Sequence, residues 1–269
     1  MPSATSSDLA RPEPVLAPTA APEDYPWVGP AVRSALLLAD GVVDLDPAGG
    51  VEVPSEELGV PLVDRAAIEQ ALAAEGAAPL AERTLVLAVG SNQTPRTIAR
   101  KYARARRSVP VTTPFVRCTV RDLAVGHVPR VAAPGYVPAA PYRAEGERME
   151  LVATWFDQEQ LAVVDATEPN YHRLRLDAAD CPVVLATGQE PDHVDVYASR
   201  WGVLARDGVP IPLRHRQQEL FDELQGLTGE TRLIGDAAEV CGRLAEQPDL
   251  VHDLALEHGL VAADRLPRP

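Results

Sequence analysis

This 269-residue chain mixes strand-like and helix-like runs, which predicts an α+β fold. Three observations carry that prediction. An apolar, β-branched run, TLVLAV at 84–89, leads through a tight GSNQ turn into a helical segment. Further short strand-like runs follow at 117–126, 149–156, 171–176 and 194–199. From residue 213 onward the chain reads as helical.

The elements can be justified in order. Residues 1–30 hold seven prolines, set mostly among Ala, Ser and Glu. Such a stretch lacks backbone donors and buries too little apolar surface to offset its ordering entropy. Residues 1–24 are therefore expected to be disordered or loosely draped, with Tyr25 and Trp27 anchoring the end. Residues 25–80 read as an N-terminal elaboration. In it, apolar runs break at Asp40-Gly41, and a helix starts at Asp64 as N-cap, carries Ile68 and Leu72 on one face and closes at Gly76.

After 84–89, Thr94 is placed as an N-cap and Pro95 takes the first helical position, predicting a helix to about residue 107. Residues 127–148 read as a loop rich in Pro, Gly and Tyr. Asp157 with Gln160 three residues later predicts a capping box for a short helix that stops at Glu168-Pro169. From residue 213 onward the chain reads as a helical extension, with Leu220, Leu224 and Leu227 on one stripe.

Composition excludes several classes. Lys+Arg is 25 against 39 Asp+Glu, a formal net charge of −14, so a general binder of nucleic acid or anionic membrane is not expected. No apolar run reaches the roughly 18 residues of a membrane span, and the first residues do not read as a secretory signal. Cys118, Cys181 and Cys241 are odd in number and form no CxxC pair, which excludes a disulfide scaffold and a Cys-rich zinc site. Reduced thiols fit a cytoplasmic protein. The six histidines form neither HxH nor HExxH, so no metal is expected. One lysine, Lys101, stands against 24 arginines, a bias that reads as GC-rich coding. The basic run around it, Arg96 to Arg107, reads as a solvated face paired with surplus carboxylates.

Two places carry candidate chemistry. Backbone amides in the Gly90, Ser91, Asn92, Gln93 turn, ahead of a helix, suit a carboxylate or phosphate. An ordinary strand-to-helix connection accounts for the same residues. Glu168, at a helix end before a proline, can face a cleft, the placement a general base needs. Its bland alternative is a solvated helix-end carboxylate.

Taken together, AVGSN (88–92), ATWFDQEQLAVVD (153–165), VDATE (164–168) and YHRLRL (171–176) resemble the gamma-glutamylcyclotransferase-like family in order and content. The resemblance covers about residues 84 to 200, and assigns 81–212 as the family-like domain. It implies a small mixed β-barrel flanked by helices. It implies that Gly90, Ser91, Asn92 and Gln93 cradle a gamma-glutamyl group, that Glu168 is the catalytic acid/base, and that Tyr171 lies beside the site. The expected partner is then a small gamma-glutamyl substrate, cleaved to 5-oxoproline and a free amine without metal or organic cofactor. Val89 stands where the family has a tyrosine, and the 127–148 loop is distinctive. These features keep two alternatives open, an amide hydrolase or transferase on the same fold and a non-catalytic binding protein. The sequence leaves the oligomeric state open.

Overall fold

A computed structural model describes residues 21–28, 33–45, 63–106 and 108–268 of the chain. Residues 1–20 of the proline-rich stretch lie outside the described residues. Its last residues, Pro22–Asp24, form a single 3-10 turn closed by the Tyr25 amide on the Pro22 carbonyl.

The chain then runs β1 (Ala35–Leu38), β2 (Gly41–Asp44), α1 (Arg65–Ala74), β3 (Thr84–Ala88), α2 (Pro95–Arg104), β4 (Thr113–His127) and β5 (Ala139–Phe156). It continues with α3 (Gln158–Ala166), β6 (Tyr171–Asp177), β7 (Val183–Leu185), β8 (His193–Ser199), β9 (Val203–Arg206) and β10 (Val209–Pro210). The last elements are α4 (Gln217–Thr228), α5 (Ala237–Glu246), α6 (Leu250–Glu257) and β11 (Val261–Ala262). The main sheet has the order β2-β1-β4-β5-β3-β8-β6, with β7 added to β4, and β10-β9-β11 form a second small sheet. The fold is α+β with helices flanking the sheet, as the sequence predicts. The sheet is an open path among the described residues: β2 and β6 lie at its two ends and do not pair, so no barrel is closed.

Local chemistry sets the helix starts. Asp64 accepts from the Ala66 amide, and Ile68 and Leu72 are the buried face of α1. Asp157 and Gln160 exchange both bonds of a capping box. Thr94 does hold the N-cap position of α2, but its hydroxyl turns back to the Ser91 carbonyl at 2.9 Å instead of capping the helix. In the 127–148 stretch the loop is shorter than expected. Residues 139–148 belong to β5, because β4 offers them a partner strand with His127 opposite Ala139 and Val125 opposite Pro141. The β4–β5 register shifts between Arg121 and Leu123, where β5 carries the extra residues, between Arg143 and Arg148.

The strand β3 is sandwiched. Leu87 joins one core with Ile68, Leu72, Val194 and Val196, while Val86 and Ala88 face the other with Ile98, Tyr102 and Val164. Burial on both faces explains why TLVLAV reads as continuously apolar. A third core holds α4, α5 and α6 against Val131, Val137, Leu204 and Ile211.

Arg83, just before β3, is buried and ties distant segments together. Its guanidinium donates to the Ala78, Thr112 and Trp155 carbonyls and to Gln160 Oε1, at 2.7 to 3.2 Å. Arg83→Met removes all four bonds, with Thr112 and Gln160 keeping other donors, and should lower the unfolding free energy by about 3 kcal/mol. Urea denaturation at pH 7 measures this, and a loss below about 1 kcal/mol would contradict the assignment.

His127 ends β4 fully buried, with Nε2 accepting from the Arg214 amide at 2.9 Å. Burial, foremost, pushes its imidazole down to about 3. The folded state therefore resists a proton that the unfolded chain accepts near pH 6.5. Stability from this group is present above pH 6.5 and is lost as pH falls toward about 3. Between pH 7 and pH 5 the wild type should lose about 2 kcal/mol that His127→Gln does not lose. Equal slopes of stability against pH in the two proteins would refute it.

Candidate functional site

Topology brings the two candidate segments to one edge. The strand β3 pairs in parallel with β8, Val86 with Asp195 and Leu87 with Val196. In turn β8 pairs antiparallel with β6, Ser199 opposite Tyr171. The residues after β3 and those before β6 thus leave the sheet side by side.

The turn after β3 is a short 3-10 helix, Gly90–Gln93. Gly90 has φ +58, and a Cβ there would collide with the Tyr25 hydroxyl and sit 2.9 Å from the Ala139 Cβ. Asn92 reaches out of the turn and donates from Nδ2 to Glu168 Oε1 at 2.9 Å. A carboxylate only accepts here, so this contact fixes which way the Asn92 amide faces. Gln93 is buried, its Nε2 folded back to the Gly90 carbonyl at 3.4 Å.

Glu168 lies in the connection between α3 and β6, its side chain 13% exposed. The same Oε1 that meets Asn92 also accepts from the Lys101 ammonium, which comes from α2. The position of α3 is pinned by Arg173, which bridges Asp165 on that helix to Asp195 on β8, and by Tyr197, whose hydroxyl donates to Asp165 at 2.7 Å.

Tyrosines wall the site. The Tyr171 hydroxyl donates to the Ala139 carbonyl at 2.9 Å, and the Ala139 amide donates to the Tyr25 hydroxyl at 2.8 Å. Tyr25 stacks on Tyr136 with ring centres 4.3 Å apart, and Trp27 packs edge-on to both. The Arg100 guanidinium lies 5.5 Å from the Trp27 ring centre. Burial, followed by the charge of Glu168, pushes Tyr136 up to about 12. Burial likewise raises Tyr25 and Tyr171 far above the ordinary range, so all three remain neutral phenols near pH 7.

The structure thus brings Asn92 and Glu168 into direct contact. Gly90 and Ser91 pack on Tyr25, Gln93 turns inward, and Tyr171 reaches the start of β5. Sequence reading missed Lys101, Tyr25 as part of this corner, and Tyr136 as its stacking partner. For Lys101 a signal existed, since it is the only lysine in the chain. Among the described residues, no cluster of three or more His, Cys, Asp or Glu side chains is placed to hold a metal ion. No helix among them is long and apolar enough to cross a membrane.

No family profile matches this chain, and no curated protein matches it in sequence. Among solved structures it is similar to a gamma-glutamyl cyclotransferase, over 44% of this chain and 67% of that one, at 15% identity and a TM-score of 0.35. It is similar to an Arabidopsis thaliana protein over 54% of this chain and 84% of that one, at 18% identity and a TM-score of 0.34. An uncharacterized Homo sapiens protein is similar over 70% of this chain and 93% of that one, at 12% identity and a TM-score of 0.37.

Gly90→Ala tests how tightly the turn is held. It should cost about 2 kcal/mol or more, through both φ and collision. Gly76→Ala is the contrast, with φ +63 and nothing within 4 Å of an added Cβ; it should cost only about 1 kcal/mol. Equal losses in chemical denaturation would contradict the packing at Gly90.

Proposed function

We propose that this protein is a cyclotransferase-type lyase that cleaves a gamma-glutamyl amide to 5-oxoproline and a free amine. What supports the reading is one contact, the 2.9 Å hydrogen bond from Asn92 to Glu168, between segments 76 residues apart in sequence. It sets a shielded carboxylate beside the turn that the gamma-glutamylcyclotransferase resemblance assigns to substrate.

In this reading Gly90, Ser91, Asn92 and Gln93 hold the gamma-glutamyl group, with Tyr171 flanking it. Glu168 removes a proton from the substrate's α-ammonium. The freed amine attacks its own γ-carbonyl carbon, and the new carbon–nitrogen bond closes a five-membered ring. The tetrahedral oxyanion collapses and the original amide carbon–nitrogen bond breaks as Glu168 passes its proton to the departing amine; the carboxylate then takes the second proton from the ring nitrogen and hands it to that amine, which leaves as an ammonium beside the neutral lactam. Attack within one molecule requires only that the substrate be folded correctly, so positioning supplies much of the rate. These steps balance without metal or organic cofactor. Three buried free thiols support the cytoplasm as the place of action.

The test is release of 5-oxoproline from a set of gamma-glutamyl amides by the purified protein. Glu168→Gln should lower that release by roughly 100-fold or more at unchanged thermal stability. A wild type that releases none, or a variant that releases it undiminished, sinks the reading. Appearance of free glutamate in place of the lactam would assign hydrolysis instead.

A further inference from the structure

The corner around Glu168 contains one charged group that the steps above do not use. Lys101 is the only lysine in a chain with 24 arginines, and its side chain is 15% exposed in the fold. Its ammonium bonds Glu168 Oε1, the oxygen that the Asn92 amide also meets. Among the described residues Oε2 accepts no hydrogen bond. The groups facing this carboxylate are therefore Lys101 and Asn92 in contact, with the neutral phenols of Tyr25, Tyr136, Tyr171 and Tyr197 around it.

The two kinds of cation would treat this carboxylate differently. An ammonium is a compact point charge that can sit on one oxygen. A guanidinium is a planar fork that takes both oxygens of a carboxylate at once. A base held by a fork has no free oxygen with which to receive a proton. One held by an ammonium and an amide on a single oxygen keeps the other one aimed and available.

We propose that Lys101 is a positioning residue: by anchoring Oε1 with Asn92, it leaves Glu168 Oε2 as the oxygen that exchanges the proton. The proposal rests on the cyclotransferase reading and deepens it. It also gives the lone lysine a reason, because arginine keeps the charge at this position and removes the function.

The experiment compares kcat and KM for 5-oxoproline release by wild type, Lys101→Met, Lys101→Arg and Lys101→Cys. Each variant should lose roughly tenfold or more in kcat, with KM within about threefold, since the interaction serves the transition state and not binding. Thermal stability of Lys101→Arg should match wild type. Alkylating Lys101→Cys with 2-bromoethylamine rebuilds an ammonium at nearly the original length, and should restore at least about a third of wild-type kcat. The three native thiols are buried, so the wild type treated in parallel controls for their reaction. Lys101→Arg running at wild-type kcat, or alkylation restoring nothing, overturns the proposal while the cyclotransferase reading stands. A wild type that forms no 5-oxoproline overturns both.

Discussion

Two parallel residue pairs, Val86 with Asp195 and Leu87 with Val196, decide where the chemistry of this molecule is assembled. Around them the sheet is antiparallel, so a chain leaving one strand usually returns along its neighbour. The parallel step breaks that rule and puts the ends of β3 and β8 at one edge. Because β6 runs back along β8 in unbroken register from Tyr171 to Asp177, the approach to β6 falls at that same edge. With β8 reversed, Glu168 would emerge on the far side of the sheet from the Gly90 turn. Apolar side chains on both faces of β3 make the arrangement costly to undo.

Electrostatics at this edge are arranged economically. One carboxylate, one ammonium and one amide meet at a single oxygen, and the surrounding aromatic wall carries no charge of its own. A neutral wall strengthens the few charges it encloses, since little water is present to screen them. The overall charge of −14 is thus a property of the surface and says little about this corner.

Features written in neighbouring residues were legible in the sequence. The Asp64 cap, the Asp157–Gln160 box, the β3 run and the short turn after it all follow from spacing within a few positions. The contact of Asn92 with Glu168 was reachable only through the family resemblance, because nothing local points from one to the other. Arg83 left no trace, since its partners Trp155 and Gln160 lie 72 and 77 positions away. Residues 139–148 looked like loop because their composition is poor for a strand, and only the partner strand β4 reverses that preference. The scarcity of lysine was read as codon bias and Lys101 as part of a solvated basic face paired with carboxylates; it does pair with one, Glu168, but at 15% exposure, because a charge on a helix gives no hint of what will cover it.

The glycine at 135 carries a consequence for the helical end of the chain. A side chain there would run into the Cys241 carbonyl of α5, so loop and helix lie backbone against backbone. The next residue, Tyr136, is the ring on which Tyr25 rests, and Tyr25 in turn abuts Gly90. The carboxyl-terminal helices are thereby a buttress: Tyr136 packs against their core, and the aromatic masonry of the reactive corner leans on them through it.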